Sequence, residues 1–145
     1  MKKKILISGY VNLDEDDNII VSKDKECLWY EDTLANEIYE KIENHNELEL
    51  SIDGEPDYEL GGISYYVPNC EIYFYISNNP ISLEEVLERY TIQLLGGLNV
   101  FGENYGYSEY TIMGLDISRF MIGNHDLNTI LSGYKGKYIN FVMEY

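Results

Sequence analysis

Strand-like runs of apolar, β-branched and tyrosine residues recur in neighbouring pairs along this chain of 145 residues. Neighbouring strands joined by short connections form hairpins, so the pattern favours an antiparallel sheet over a parallel one. Val-Pro-Asn-Cys at 67–70 has turn-forming residues and predicts the tip of such a hairpin. The predicted strands cover residues 5–11, 18–22, 48–52, 63–67, 71–77, 107–113, 115–122 and 137–143.

Three segments carry apolar residues at helical spacing, namely 31–45, 82–95 and 125–133. In the first, Leu34, Ile38 and Ile42 form one apolar stripe, and Glu37, Glu40 and Glu43 point away from it. In the second, Ser82 and Glu85 have the spacing of a reciprocal N-terminal cap, and Gly96 and Gly97 end the helix.

The order of these segments predicts an α+β fold in which a mostly antiparallel sheet carries about three helices packed on one face. The apolar fraction of 45% is enough for a core in a chain of this length, and no change in composition indicates a linker. We therefore predict a single globular domain over residues 1–145.

The N-terminal run of three lysines followed by apolar residues is too short for a membrane span, and acids rather than a cleavage site follow it. Cys27 and Cys70 have neither the number nor the spacing of a disulfide framework or a metal site. These features predict a cytoplasmic protein with reduced thiols and no association with a membrane.

The charge of the chain is concentrated in one third of its length. The formal net charge is −16, and residues 14–59 hold 17 acidic residues against three lysines, a net charge of −14. This field opposes direct binding to nucleic acids or anionic membranes, so the expected partner is a basic protein.

Gly-Asn-His-Asp at 123–126 is a string that metallophosphoesterases use at a metal pair, but the partner motifs Asp-x-His and Gly-Asp-x-x-Asp are absent from this sequence. We interpret the string as a helix start, with Asn124 as the cap and Asp126 in the first turn. Asp14, Asp16 and Asn18 match the first positions of a calcium loop, but Ile19 and Lys25 stand where such a loop requires Gly and Glu. The sequence thus predicts no metal site and no cofactor.

No catalytic constellation is identifiable. A pairing of Cys27 or Cys70 with His45 or His125 would depend on tertiary structure alone, and 26 acidic residues are too many to single out a catalytic pair. The glycines at 96–102 lack the Lys-Ser/Thr of a phosphate-binding loop.

The 15 tyrosines fit strand packing, and tyrosine is also frequent at protein interfaces. The sequence predicts partner binding by the acidic segment and by exposed tyrosines near Gly102 and Gly106. The predicted contact residues are Asp14, Glu15, Asp16, Asp17, Glu37, Glu40, Glu43, Tyr105, Tyr107 and Tyr110.

Three functional interpretations remain at this point. The first is a non-enzymatic inhibitor or decoy, of the kind that phages use against host defence, which mimics nucleic acid and occupies the basic groove of a nucleic-acid-handling protein. The second is an intracellular immunity protein or antitoxin that neutralises a basic nuclease toxin. The third is a small enzyme or ligand-binding domain whose carboxylates the sequence does not single out.

Overall fold

The structure is a computed structural model, and it describes residues 3–14, 16–25, 33–42, 62–86, 89–90, 92–105 and 114–145. The strands are β1 (Lys4–Leu13), β2 (Ile19–Ser22), β3 (Gly62–Ser77), β4 (Ile92–Tyr105), β5 (Gly114–Ile122), β6 (His125–Asp126) and β7 (Tyr138–Glu144). The helices are α1 (Leu34–Lys41), α2 (Leu83–Val86) and α3 (Leu127–Ser132).

All of these strands lie in one sheet, in the order β2-β1-β7-β3-β4-β5-β6, and every neighbouring pair is antiparallel. β1 and β7 are far apart in sequence but adjacent in the sheet, with Lys4 opposite Glu144 and Tyr10 opposite Tyr138. The predicted mostly antiparallel sheet is confirmed, as are the strands predicted at 5–11, 18–22, 115–122 and 137–143, within a few residues.

One face of the sheet carries the hydrophobic core. β1 shows the alternation: Ile5 and Ile7 are buried, whereas Leu6 between them is 48% exposed. β3, β4, β5 and β7 send side chains to the same core cluster, and its largest fully buried members are Tyr65, Phe74, Phe120 and Phe141. Burying one such side chain contributes about 2 kcal/mol, so this face supplies most of the packing energy of the sheet.

The sheet curls into a half-barrel, and a side chain near one end reaches a strand near the other. Asn18, which precedes β2 and is 1% exposed, accepts a 2.8 Å hydrogen bond through Oδ1 from the backbone N–H of Ile117 in β5. Asn128 of α3 donates through Nδ2 to the carbonyl oxygen of the same Ile117 at 3.0 Å. Two asparagine side chains therefore connect β2 and α3 to β5.

The helices are short, and the predicted packing on one face is not confirmed. Leu34 and Ile38 of α1 and Leu131 of α3 belong to the core cluster. Val86 of α2 is buried outside that cluster and shares a small cavity with Val142, which alternates with the core residues of β7. α2 therefore lies on the outer face of the sheet.

β3 is one continuous strand, so the hairpin predicted at 67–70 is wrong. Its pairing with β4 slips between Val67, which is opposite Leu98, and Cys70, which is opposite Gly96. Asn69 takes the left-handed conformation with φ of 55°, and the Cys70 thiol donates to the carbonyl oxygen of Val67 at 3.2 Å. Pro and Asn mark bulges as well as turns, and here they mark a bulge.

The helix predicted at 82–95 is confirmed only over Leu83–Val86, and from Ile92 onward it is wrong because β4 begins there. The predicted stripe included Tyr90 and Leu94, and their spacing of four positions fits a helix face and also the alternate positions of a strand. Gly96 does not end a helix but allows a close approach, since a Cβ there would lie 2.7 Å from the Cα of Gly123. Its φ of 144° is also one that other residues rarely adopt.

The other two predicted helices are confirmed but shorter. α1 covers Leu34–Lys41 of the predicted 31–45, and Thr33 caps it by accepting from the Asn36 N–H at 3.2 Å. α3 covers Leu127–Ser132 of the predicted 125–133. Its cap is Asp126, not the predicted Asn124: the Asp126 carboxylate accepts from the N–H groups of Asn128 and Thr129 at 2.9 and 3.3 Å. The predicted strands 48–52 and 107–113 lie outside the described residues.

Candidate partner-binding groove

Asp14, the first of the four predicted contact residues at 14–17, has a structural role. Asp14 is half-buried, and its Oδ1 accepts from the backbone N–H groups of Asp16 and Asn18, both at 2.9 Å. Its Oδ2 accepts from Nδ2 of Asn18 at 2.8 Å. Asp14 therefore orients the asparagine that reaches Ile117, and its carboxylate is engaged within the chain.

The remaining predicted contact residues divide by position. Asp16 is half-buried, and Asp17 is exposed with φ of 63°. Glu37 is half-buried on α1, and Glu40 is exposed one turn later. The side chain of Tyr105 and all of Glu15, Glu43, Tyr107 and Tyr110 lie outside the described residues. The backbone of Tyr105 ends β4, opposite Gly114.

A shallow groove of about 540 Å³ runs between β1 and α1, and we refer to it as the edge groove. It brings the predicted contact residues Glu37 and Glu40 next to a part of the sheet that the sequence did not single out. Its lining residues are Leu6, Ile7, Ser8, Val21, Lys23, Glu37, Glu40 and Lys41.

The backbone N–H and C=O groups of β1 alternate between two sides, one toward β7 and the other toward the edge groove. Lys3 and Tyr145 exchange both of their backbone hydrogen bonds, at 2.9 and 3.0 Å, so the odd-numbered residues of β1 bond to β7. The even-numbered residues point their N–H and C=O groups to the other side, where β2 takes them from Tyr10 onward. Among the described residues, no strand pairs with Lys4, Leu6 and Ser8 on that side.

The charges around the edge groove are mixed. Two acids, Glu37 and Glu40, and two lysines, Lys23 and Lys41, line the groove, so it carries no excess of either sign. Leu6 contributes an apolar side chain that is half exposed. The groove thus offers backbone groups, an apolar contact and charges of both signs, which are elements of peptide recognition.

A surface cluster on the outer face holds the start of β1. Lys4 Nζ lies 3.4 Å from Glu144 Oε1, and the Tyr73 hydroxyl donates to the same oxygen at 3.4 Å. The hydrogen bond with Glu144 raises the pKa of Lys4, while partial burial raises the pKa of Tyr73. Lys4 is exposed and Glu144 and Tyr73 are half-buried, so the cluster orients Lys4 but contributes little to stability.

Other parts of the described structure offer less. The cavity under α2, lined by Tyr73, Tyr75, Val86 and Val142 among others, measures about 10 Å³ and is too small for a substrate. Within the described ranges, no three His, Cys, Asp or Glu side chains are grouped so as to hold a metal ion. No helix in those ranges is both long and apolar enough to cross a membrane.

The Gly-Asn-His-Asp string lies at the start of α3, as the sequence predicted. Gly123 has φ of 56° and turns the chain, His125 is exposed in β6, and Asp126 caps the helix. Cys70 is buried in the core, and Cys27 lies outside the described residues.

Comparison of the chain with protein-family models, with curated proteins and with solved structures finds no match.

Proposed function

We propose that this chain is a non-enzymatic binding protein that inhibits a nucleic-acid-handling protein by occupying its basic groove in place of nucleic acid. The observation that carries the proposal is the net charge of −16 on 145 residues, with 17 acids in the segment 14–59. A field of this sign and density attracts a positively charged cleft from a distance and repels nucleic acid itself.

The positions of the described acids support this proposal in part. Glu40 and Asp17 are exposed, and Glu37 and Glu40 line the edge groove beside an apolar residue. The carboxylate of Asp14 already accepts hydrogen bonds from Asp16 and Asn18, so we propose a smaller part in binding for Asp14 than for Asp17. We therefore centre the proposed contact surface on Asp17, α1 and the edge groove.

The test is a competition experiment. The tagged protein is used to capture a basic partner from a host lysate, and the purified partner is then bound to a labelled oligonucleotide. We expect this protein to displace the oligonucleotide, because both would bind the same basic surface of the partner. We also expect binding of this protein to the partner to weaken as salt is raised, because salt screens the attraction between their charges. A ternary complex that retains the oligonucleotide would contradict the proposal.

A matched pair of variants localises the surface. Glu40→Lys and Glu84→Lys make the same charge change at exposed positions, the first on α1 and the second on α2 on the outer face. We expect Glu40→Lys to weaken the competition and Glu84→Lys to leave it close to wild type. Equal effects of the two variants would show that only the overall charge matters.

A further inference from the structure

We propose that the edge groove binds an extended segment of the basic partner as an additional strand of the sheet, paired to β1 along Lys4–Ser8. This inference rests on the proposed function, since it specifies how the same partner is held. It adds a backbone-directed mode of recognition to what charge alone would provide.

The first argument is the direction of the backbone groups. The N–H and C=O groups of Lys4, Leu6 and Ser8 point away from β7, and the pairing with β2 starts only at Tyr10. These three residues span about 14 Å of strand, enough to pair with four or five residues of a second chain. An edge of this kind is a template for strand addition.

The second argument concerns the residues that face an added strand. Leu6 and Ser8 are exposed on the outer face, whereas Ile7 and Val21 face the core side, where α1 contributes Glu37 and Glu40 to the groove. Side chains directly opposite each other in antiparallel strands lie on the same face. A suitable segment therefore has an apolar residue opposite Leu6 and a lysine or arginine opposite Ile7, in alternation.

The third argument selects the occupant. A second copy of this chain would bring together two molecules with a net charge of −16 each, and their repulsion opposes pairing of the two edges. A basic segment is attracted by the same field, and its cations reach Glu40 on the exposed side of α1. The occupant is thus a basic partner strand and not a second protomer.

The probe is a short peptide of alternating valine and lysine, blocked at both ends, and its control has the central valine replaced by proline. The two peptides have the same charge, but proline removes a backbone donor and disturbs the extended pairing. We expect the control to bind about tenfold more weakly, the change produced by losing one or two net hydrogen bonds.

Residue-level hydrogen exchange reports the location. In the protein alone, the amides of Leu6 and Ser8 are expected to exchange quickly and those of Ile5 and Ile7 slowly, because only the latter bond to β7. The alternating peptide should slow exchange at Leu6 and Ser8. Slow exchange at these two amides before any peptide is added would show that the edge is already paired and would overturn the proposal.

The variant Leu6→Lys places a like charge against the lysine peptide at the edge, and Leu95→Lys makes the same change at a site that is 63% exposed on β4. We expect Leu6→Lys to weaken peptide binding and Leu95→Lys to leave it unchanged. Equal affinity for the two peptides, with salt-sensitive binding retained, would overturn strand addition while leaving the proposed function standing. Failure of the competition with nucleic acid would reject the proposed function independently of the peptide result.

Discussion

The side-chain oxygen of Asn18 lies 2.8 Å from the backbone nitrogen of Ile117, 99 positions further along the chain. Asn18 belongs to the turn between β1 and β2, and Ile117 belongs to β5, four strands away from β1 in the sheet. The buried side chain of Asn18, which Asp14 orients, therefore links two distant parts of the curled sheet.

Asn18→Ala is expected to destabilise the protein by about 1–3 kcal/mol, because the buried N–H of Ile117 loses its acceptor. Chemical denaturation measures this as a shift in midpoint with little change in slope. Asn128→Ala removes the side-chain donor to the Ile117 carbonyl oxygen, and its unfolding midpoint is compared with that of Asn18→Ala. If Asn18→Ala unfolds at the wild-type midpoint, the link from Asn18 to Ile117 does not stabilise the fold.

Asp14→Ala is expected to reduce stability by about 1–3 kcal/mol, because two backbone N–H groups and the Asn18 amide lose their acceptor. Asp17→Asn removes a neighbouring charge at an exposed residue, and asparagine tolerates its positive φ. We expect Asp17→Asn to unfold like the wild type. Equal stability of the two variants would show that the acids of this turn are only a charged surface.

Asp126→Ala is expected to cost about 1 kcal/mol, the usual effect of losing a helix cap. Asn124→Ala is the matched control, because Asn124 is exposed and Asp126 makes the capping bonds. The measurement is the thermal unfolding midpoint, which should be lower for Asp126→Ala than for Asn124→Ala. A larger loss for Asn124→Ala would restore the cap assignment made from sequence.

The stability of the protein is expected to fall as pH rises above about 10. Burial, with smaller contributions from Cys70 and Tyr39, raises the pKa of Tyr65 well above its usual value of 10.0. Below about pH 10 the folded and unfolded states both keep this proton, whereas above it the unfolded state releases the proton first, so unfolding becomes more favourable.

Tyr65→Phe tests this assignment. At neutral pH it should lose about 1 kcal/mol, because the hydroxyl donates a 2.6 Å hydrogen bond to the Ala35 carbonyl that fastens α1 to the sheet. The difference in unfolding free energy between Tyr65→Phe and the wild type should become smaller as pH rises above about 10, because the variant has no hydroxyl proton to lose at this position. Denaturation midpoints over this pH range provide the measurement, with Tyr66→Phe as a control at an exposed position of the same strand.

Association with the basic partner is expected to be fast and strongly dependent on salt, because the Debye length shrinks from about 10 Å at 0.1 M to about 3 Å at 1 M. Glu40→Lys should slow association, and Leu6→Lys should mainly speed dissociation if strand pairing holds the complex. A kinetic series at several salt concentrations separates the two. An association rate that ignores both salt and Glu40→Lys would leave the acidic surface without a role in binding.

The parts of the fold that were predicted correctly depend on local patterns. The alternation in β1, the continuous apolar run in β7 and the stripe that begins at Leu34 and Ile38 of α1 and ends at Ile42 are local patterns that each predict one element. β4 was mistaken for the end of a helix because a spacing of four residues satisfies both periods, and only pairing with β3 and β5 decides between them. Pro68 and Asn69 were read as a turn because a bulge uses the same residues.

The candidate site was harder to predict, for a different reason. Glu37 and Glu40 were identified from charge and helical spacing, but the importance of Leu6 and Ser8 depends on where the ladder between β1 and β2 stops. Likewise, the run of acids at 14–17 gives no sign that Asp14 is engaged internally and Asp17 is not. Such differences arise from long-range pairing, which no local pattern encodes.

The pairing of the first long strand with the last one also has a consequence for how the chain folds. Ser8 and Asn140 share a hydrogen bond across 132 positions, so β1 can pair with β7 only after all of the intervening chain has been synthesised. Pairings of such sequence separation close slowly. Until then β7 does not cover the apolar side of β1, which carries Ile5 and Ile7, and this side can associate with other nascent chains. The strong negative charge of the residues that follow β1 opposes such association, because chains of like charge repel each other.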